Sequence, residues 1–380
     1  MQRGFEPREF EQRTQAAQRM MQAAGLDALL LSTEADVRYF TGYLTRFWES
    51  PSRPWFVVVP AQGKPVAVIP SIGAALMAQT WVDDIRTWRA PDPADDGVSL
   101  LADTLNGLGA RTIGTPMGYE SHLRMPLADW ARVQAALRGV VRDDAGIVAR
   151  LRSVKSAAEV AKITQACAIA GRAFARVPQI ARVGVPLSQV FRDFQRLCLE
   201  EGADWVPYLA GGAAQGGYGD VISPASDAPL VAGDVLMLDT GLVWDGYFCD
   251  FDRNFSLGPS DAQTEAAHAR LIEAVDAAAH IARPGATAAQ LFHAMDAIVT
   301  GGKGGSDAGR LGHGLGMQLT EGLSLIPQDH TVLEPGMVIT LEPGIETGEG
   351  RMLVHEEDIL ITEGAAVFLS PRSGPAMVQL

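Results

Sequence analysis

The sequence predicts an α/β protein of two domains, a smaller one over residues 1–150 and a larger one over residues 151–380. Three observations support this organisation. The chain has 380 residues, of which 47% are hydrophobic, so it is long enough for two domains with sizeable cores. Predicted helices and strands alternate up to about residue 150. A strongly helical region then begins, and strands and glycine-rich loops follow it.

The N-terminal domain is predicted to open with a helix and a buried strand. The segment EPREFEQRTQAAQRMMQAAG contains helix formers throughout and stops at Gly25, a residue that suits a left-handed helix cap. DALLLS follows as a short apolar strand, and PWFVVVPAQGKPVAVIP is typical of two strands around a Gln-Gly-Lys turn.

The C-terminal domain is predicted to begin with the helical segment ARLRSVKSAAEVAKITQACAIAGRAFARV. Ser156 can cap a helix here, and Glu159 three residues later completes a capping box. A second alanine-rich helix is expected over AQTEAAHARLIEAVDAAAHIA.

Charge, cysteine content and hydropathy restrict the partners and the compartment. The net charge of −14 removes the usual electrostatic basis for binding nucleic acid or an anionic membrane. No apolar stretch approaches about 18 residues, and the charged start does not resemble a secretory signal. Cys167, Cys198 and Cys249 are widely spaced, form a poor disulfide framework and are compatible with a reducing cytoplasm, where we expect the protein.

Two acids stand on a predicted hairpin, DVLMLDTGLVWDGYFCDFDRNF. If the loop is centred on residues 243–246, Asp239 faces Asp250 directly. If Asp245-Gly246 forms a tight two-residue turn, Asp239 faces Asp252 and Asp250 becomes its diagonal neighbour, within about 8 Å. Like charges so close destabilise a sheet, so either a divalent cation neutralises them or they are solvated on the outer face of the hairpin.

Further candidate ligands lie at strand ends and in glycine-rich loops. His313 stands between glycines in GRLGHGLG, where small neighbours would let a ligand approach the imidazole. Glu342 ends an apolar strand before Pro343, and Glu356 or Glu357 begins another. Four carboxylates with one histidine suit Mn, Fe, Co or Zn, and two ions fit this charge better than one.

These motifs in this order resemble the M24 metallopeptidase family, and most of all its Xaa-Pro dipeptidase and creatinase branch. The pattern D-x-G-x(4)-G-Y-x-x-D-x-x-R is carried by Asp239, Gly241, Gly246, Tyr247, Asp250 and Arg253. G-H-G-x-G at 312–316, L-E-P-G at 341–344 and a late E-x-D-I-L-I-T follow. The resemblance covers the whole chain and implies a smaller N-terminal creatinase-like α/β domain before a C-terminal "pita-bread" catalytic domain.

The resemblance also implies the role of each ligand around two divalent ions. Asp239 would bind one ion, His313 and Glu342 would bind the other, and Asp250 and Glu356 would bridge them. Glu356 is preferred over Glu357 because the last ligand of the family lies six residues before the threonine that ends its strand, here Thr362.

This cluster predicts amide hydrolysis. Two cations would acidify a shared water and polarise the substrate carbonyl. Glu342 is the predicted proton carrier, and His313 is placed beside it in the catalytic set.

Two departures from the family pattern concern the substrate. Where peptidases of the family carry a second histidine, seven residues after His313, this chain has Thr320, followed by the expected Glu321. An earlier histidine should fall near GDVISPASDAPL, where Ile222 stands and no histidine occurs. The metal ligands are therefore complete while the substrate contacts are altered.

Four residues are predicted to contact the substrate: Tyr247, Thr320, Trp48 and Arg53. The last two lie in YLTRFWESPSRPWF, which either is a surface of the N-terminal domain packed on its partner or, as in similar dimers, crosses to the active site of the other subunit of a homodimer and closes over the substrate. In the second case an arginine would be available for a substrate carboxylate.

Three function classes follow from the sequence. The first is a dinuclear metallohydrolase that cleaves an Xaa-Pro dipeptide or another small amide. The second is a non-peptidase enzyme of the same family acting on a small metabolite, in the manner of ectoine hydrolase or the dimethylsulfoniopropionate lyase. The third is a non-enzymatic binding module, against which the five complete ligand positions argue.

Overall fold

The computed structural model describes residues 2–48, 54–304 and 309–380. The chain divides into two compact units, Met1–Arg152 and Ser153–Leu380, and both mix helices with sheets. Within the described residues, no helix is both long enough and apolar enough to cross a membrane.

The N-terminal unit is built around one mixed sheet with the strand order β4-β3-β2-β1-β5-β6. Its strands are β1 (Ala28–Leu31), β2 (Phe56–Pro60), β3 (Val66–Pro70), β4 (Asp84–Trp88), β5 (Thr112–Thr115) and β6 (Val140–Asp143). Its helices are α1 (Pro7–Ala24), α2 (Glu34–Thr41), α3 (Ala74–Met77), α4 (Val98–Gly107), α5 (Leu127–Ala136) and α6 (Ile147–Ser153), the last of which reaches the boundary.

The predicted opening of the chain is confirmed. Helix α1 ends before Gly25, whose φ of 65° is the left-handed conformation in which glycine avoids a side-chain clash. Strands β1, β2 and β3 form where the apolar runs predicted them, and every residue of the three strands is buried.

The C-terminal unit packs helices against several smaller sheets. Its helices are α7 (Ala157–Phe174), α8 (Leu187–Glu200), α9 (Ala262–Ile281) and α10 (Ala288–Val299). Its strands are β7 (Trp205–Gln215), β8 (Asp234–Trp244), β9 (Tyr247–Phe248), β10 (Phe251–Ser256), β11 (Gly312–Gly314), β12 (Val338–Leu341), β13 (Gly344–Gly348), β14 (Arg351–Val354), β15 (Glu357–Leu360), β16 (Val367–Phe368) and β17 (Val378–Gln379). The sheets have the orders β17-β10-β8-β7, with β9 on β8, then β11-β12-β15-β16, and β13-β14.

The predicted capping box at the start of α7 is confirmed. The backbone N–H of Glu159 donates to the Ser156 hydroxyl at 3.2 Å, and the backbone N–H of Ser156 donates to the Glu159 carboxylate at 2.9 Å. Two of the backbone donors that a helix leaves open at its start are therefore satisfied.

The hairpin of β8 and β10 adopts the second of the two predicted registers. Asp245 and Gly246 have φ of 48° and 80°, so they form a two-residue turn of the mirror-image type that hairpins favour. Asp252 consequently pairs with Asp239, and Asp250 lies between β9 and β10.

The β11-β12-β15-β16 sheet carries the remaining candidate ligands, in a strand or directly next to one. His313 lies in the middle of β11 opposite Thr340 of β12. Glu342 follows the last residue of β12, and Glu356 precedes the first residue of β15, which is the neighbour of β12. A histidine and two acids therefore lie near the same end of the neighbouring strands β11, β12 and β15.

Candidate metal centre

Five side chains from the two sheets converge in the C-terminal unit. Asp239, Asp250 and Glu356 offer ligand atoms that all lie within 4.8 Å of one another, and so do Asp250, His313 and Glu342. Asp250 belongs to both groups, so the two groups form one continuous cluster. The hairpin of β8 and β10 supplies Asp239 and Asp250, and the β11-β12-β15-β16 sheet and its strand ends supply the others.

His313 ties the two parts of the cluster together. Its Nε2 lies 2.8 Å from Glu342 Oε1 and 3.3 Å from Asp250 Oδ2. Its Nδ1 lies 2.9 Å from the carbonyl oxygen of Gly314. With a proton on Nδ1 donated to that carbonyl, Nε2 keeps a lone pair directed at the carboxylates, which is the usual arrangement of a metal-binding histidine.

The glycines around His313 allow close packing of backbone against β11. A Cβ at Gly312 would lie 2.2 Å from the backbone oxygen of Thr340, and a Cβ at Gly314 would lie 2.2 Å from the backbone oxygen of Glu321. The glycines therefore let neighbouring backbone pack against β11, and the close approach of a ligand to His313 stays a prediction.

The acids of the cluster repel one another in a buried site. Burial, followed by the charges of Asp250 and Asp252, raises the pKa of Asp239 well above its ordinary value. Burial and the charge of Asp239 do the same for the pKa of Glu356. Burial raises the pKa of Asp250 to about 6, although His313 opposes the shift. A bound cation would relieve this repulsion.

His313 and Glu342 shift in the directions expected for an ion pair. Burial opposes the charge on His313, but Glu342 and Asp250 outweigh it and raise the pKa of the imidazole to about 10. Burial likewise opposes the charge on Glu342, yet His313 and then Arg310 hold the pKa of this carboxyl below its usual range. Without a metal, Nε2 of His313 therefore carries a proton that faces the two carboxylates. A metal cation that binds Nε2 would replace this proton.

The structure brings Glu356, and not Glu357, into the cluster. The Glu357 carboxylate accepts hydrogen bonds from Arg253 at 3.0 Å, from the Ser370 hydroxyl and from the backbone N–H of Ser373 at 3.0 Å. The backbone N–H of Glu356 donates to Asp252 Oδ1 at 2.7 Å, which fixes the chain where the two acids diverge.

Comparison with known proteins assigns the chain to a family. The sequence pattern of the metallopeptidase family M24 matches residues 161–363, and that of the creatinase/prolidase N-terminal domain matches residues 13–154. The chain belongs to metallopeptidase family M24. It is therefore an enzyme of the hydrolase class whose chemistry depends on divalent metal ions.

Relatives of this M24 protein include peptidases that match it over almost their whole length. It is 30% identical to the probable dipeptidase PepE of Mycobacterium tuberculosis over 370 residues, covering 96% of this chain and 95% of that protein. The crystal structure of dipeptidase PepE from Mycobacterium ulcerans has 28% identity and a TM-score of 0.84, and the match covers 99% of this chain and 100% of that one. The Xaa-Pro dipeptidase from Bacillus anthracis, at 20% identity and a TM-score of 0.85 over 98% and 100% of the two chains, shares the fold.

The residues present in this M24 chain fit divalent cations. Oxygen and imidazole donors suit the first-row ions predicted from the sequence. Asp239 Oδ1 is buried, and among the described residues it has no hydrogen-bond partner, as expected of an atom reserved for a cation. The repulsion among the buried carboxylates points the same way.

Two of the residues predicted to contact the substrate form hydrogen bonds with other side chains of the protein. The hydroxyl of Thr320 accepts a hydrogen bond from Arg310 Nη2 at 3.1 Å. The hydroxyl of the buried Tyr247 lies 2.9 Å from Glu159 Oε1 and donates to it. Contact of either residue with a substrate stays a prediction.

The other two predicted contacts belong to the N-terminal unit. Trp48 is 7% exposed, its ring lies 5.9 Å from that of Trp55, and the Arg124 guanidinium lies 5.2 Å from its centroid. The Trp48 ring is thus packed within its own unit, and its contact with a substrate in a partner's site stays a prediction. Arg53 lies outside the described residues.

Sequence reasoning missed two groups beside the cluster. Tyr208 of β7 lies beside Asp239, and burial together with that neighbouring charge raises the pKa of the phenol. Arg310 lowers the pKa of both Asp250 and Glu342. The position of Arg310 only three residues before His313 was the available signal, whereas Tyr208 becomes a neighbour only through the pairing of β7 with β8.

Proposed function

We propose that this protein is a dipeptidase that uses two divalent cations to hydrolyse the C–N bond of a dipeptide or another small amide. Xaa-Pro dipeptides are the first candidate substrates. The observation that carries the proposal is the position of Asp250, which belongs to both ligand groups and so provides the bridge that two adjacent cations require. The dipeptidases among the relatives support the substrate class.

The ligand assignment follows the geometry of the cluster. The residues proposed to hold the ions are Asp239, Asp250, His313, Glu342 and Glu356, with Asp250 and Glu356 as bridges. When bound, two divalent cations of the Mn, Fe, Co or Zn type would supply acidification of water and polarisation of the scissile carbonyl.

Glu342 is the residue best placed to move a proton. Its side chain is 16% exposed, whereas those of Asp250 and His313 are 5% and 4% exposed, so it is the most accessible of the three. It accepts a proton from water and delivers it to the amide nitrogen that leaves. His313 Nε2 lies 2.8 Å from Glu342 Oε1, so the two groups are placed to hold the same ion.

The proposal is tested by the dependence of hydrolysis on Asp250. Metal-loaded protein is assayed by mass spectrometry against Xaa-Pro dipeptides, N-acyl amino acids, ectoine-like rings and sulfonium compounds. We expect chelator-sensitive cleavage of a dipeptide, and we expect Asp250→Ala to abolish it while the circular dichroism spectrum is retained. Asp193→Ala, on the surface of α8, is the control variant. Full activity of Asp250→Ala would end the dinuclear proposal.

A second candidate is an M24 enzyme that acts on a small metabolite. Two observations favour it: Thr320 replaces an imidazole and its hydroxyl already accepts from Arg310, and Ile222 is exposed at the segment where a histidine was expected. Best activity on the ring or sulfonium compounds of the same panel would select this candidate over a dipeptidase. A non-enzymatic binding role would instead give metal binding with no product from any compound.

We further propose a cytoplasmic homodimer whose C-terminal domain, from residue 151, is the pita-bread domain and whose N-terminal domain spans residues 1–150. The described cysteines are all free and buried, which fits a reducing compartment. In the dimer the loop containing Trp48 and Arg53 would reach the partner's site. Analytical ultracentrifugation gives the mass, and restored activity on mixing Arg53→Ala chains with Asp250→Ala chains would show a shared site.

A further inference from the structure

A cleft lies in the C-terminal unit apart from the ligand cluster. Its volume is about 240 Å³, and its walls come from the end of α7, from β10, from α9 and from the segment 371–378. None of the five proposed metal ligands, all of which the structure describes, lines this cleft. Sites for drug-sized molecules measure about 300–1,000 Å³, so the cleft suits a smaller metabolite.

The interior of the cleft is apolar and closely built. Phe174, Phe255 and Met377 line it, and all three side chains are buried. A Cβ at Gly171 would lie 2.4 Å from Pro371 Cγ, so the C-terminal wall lies directly against α7. An apolar group that enters the cleft would therefore meet a preformed apolar surface.

One buried hydrogen-bond acceptor in the wall is unsatisfied. His268 of α9 lines the cleft and is 2% exposed, and among the residues that the structure describes its Nδ1 has no hydrogen-bond partner. Burial lowers the pKa of this imidazole to about 4, so the ring is neutral near pH 7 and Nδ1 can accept a hydrogen bond. Buried polar atoms are normally satisfied, so this position calls for an N–H or O–H donor.

Nearby acids favour a donor that carries positive charge. The charges of Asp252 and Glu265 raise the pKa of the His268 imidazole, although burial and then His355 outweigh them. The negative charge of both acids therefore reaches the ring. An ammonium group that donates to Nδ1 would satisfy the acceptor and be attracted by these two acids.

Arg372 provides an opposite charge at the rim of the cleft. Its side chain is 44% exposed and pairs with Asp276, and its guanidinium lies 4.3 Å from the centroid of the Phe368 ring. A guanidinium has more N–H donors than one carboxylate can use, so Arg372 can also bind the carboxylate of a ligand. The cleft thus combines an acceptor for an ammonium, a donor for a carboxylate and an apolar surface.

The walls of the cleft also hold the backbone of a proposed metal ligand. Arg253 lines the cleft, and its Nη1 donates to the carbonyl of Glu356 at 3.2 Å. The His268 ring meets that of His355 edge-on, with 5.9 Å between their centroids. His355 Nδ1 lies 3.2 Å from Asp252 Oδ1, and that oxygen accepts from the backbone N–H of Glu356 at 2.7 Å. Both backbone polar groups of Glu356 are therefore connected to the cleft.

We propose that this cleft is an effector site for a free apolar α-amino acid. The ammonium group donates to His268 Nδ1, the apolar side chain packs against Phe174 and Met377, and the carboxylate accepts from Arg372. Occupancy of the cleft immobilises the residues that hold Glu356, and it thereby strengthens cation binding at the ligand cluster.

Binding of L-leucine to metal-free protein tests the site. In chelator the ligand cluster has no cation through which to bind an amino acid, so calorimetric titration reports the cleft. We expect one leucine per chain. Glycine, isocaproate and leucinamide lack the apolar side chain, the amine and the carboxylate in turn, and each should bind about tenfold more weakly or worse.

Variants locate the binding in the cleft. Ala175→Phe fills the cleft from its exposed edge and should abolish leucine binding, whereas Ala158→Phe, on the exposed face of α7 outside the cleft, should bind as wild type does. His268→Phe and Arg372→Gln should each weaken leucine binding about tenfold. Absence of leucine binding by wild type, or equal binding by Ala175→Phe, would overturn the proposal.

The link to the ligand cluster has its own readout. Leucine should lower the Kd of wild type for Mn²⁺ about fivefold or more, and the effect should be absent in Ala175→Phe, which corrects for leucine that binds the cation directly. Equal Kd for Mn²⁺ with and without leucine would overturn the role as an effector. None of these measurements needs turnover, so they decide the inference even if the chain cleaves no amide and the proposed function fails.

Discussion

Neutralising an acid of the cluster is expected to stabilise the protein when no cation is present. Burial raises the pKa of Asp250 from 3.8 to about 6. For an acid with a raised pKa, the linked stability is present below pH 3.8 and is lost as the pH rises through about 6. At about 1.4 kcal/mol per pKa unit, ionised Asp250 lowers the free energy of unfolding by about 3 kcal/mol at pH 8. Asp250→Asn would restore this free energy.

Glu357 provides a matched control with the opposite sign. Burial disfavours its charge, but the hydrogen bond to His355 and the charge of Arg253 prevail and lower the pKa of this carboxyl from 4.5 to about 2. Its stabilising contribution is fully present above pH 4.5 and is lost as the pH falls through about 2. Glu357→Gln should therefore cost about 3 kcal/mol at pH 8.

The assay is thermal unfolding at pH 8, first in chelator and then with Mn²⁺. A change of 1 kcal/mol moves Tm by about 2–4 °C in a domain of 150–250 residues, so Asp250→Asn should unfold about 6–12 °C above wild type in chelator and Glu357→Gln about as far below it. Cation at a hundredfold excess over Kd should stabilise wild type by about 2.7 kcal/mol and Asp250→Asn not at all. If Asp250→Asn destabilises the chelated protein as Glu357→Gln does, the account of repulsion in the cluster is wrong.

Three further changes test other parts of the structure. Gly312→Ala should lower both Tm and cation affinity, measured by calorimetry, because its Cβ would meet the backbone oxygen of Thr340 at 2.2 Å; an unchanged affinity would contradict this. Burial lowers the pKa of His268 from 6.5 to about 4, so the free energy of unfolding of wild type should fall by about 3 kcal/mol as the pH falls across that range. Urea titrations at pH 7 and pH 4 should show a smaller fall for His268→Gln. Lys162→Met should lower the free energy of unfolding in urea by about 3–5 kcal/mol because it removes the lysine paired with the buried Asp245. The double variant with Asp245→Asn should recover much of this loss, and additive losses would argue against the ion pair.

Local sequence signals predicted the parts of the fold that depend on local chemistry. The end of α1 at Gly25 and the capping box at Ser156 each rest on one residue type in a fixed backbone position. The hairpin register was left open, although the Asp245-Gly246 pair favours a two-residue turn, in which both residues take positive φ. More weight on turn chemistry would have selected the observed register.

The surroundings of the cluster could not be read from spacing along the chain. Tyr208 meets Asp239 because β7 pairs with β8, a contact between residues about thirty positions apart. Asp252 supports the backbone of Glu356 across about one hundred residues. The glycines beside His313 were interpreted from a single loop, whereas the small size of Gly312 is required by the backbone of β12 and that of Gly314 by the backbone of Glu321. Such contacts follow from tertiary packing, and local sequence motifs do not report it.

The most direct test of the metal centre is anomalous diffraction from crystals grown with Mn²⁺. The account predicts two anomalous peaks per chain, one near Asp239, one near His313 and Glu342, with Asp250 and Glu356 in contact with both. Crystals of Asp250→Ala should lack at least one of these peaks. A single peak in wild type, peaks placed away from these five residues, or two undiminished peaks in Asp250→Ala would contradict the account.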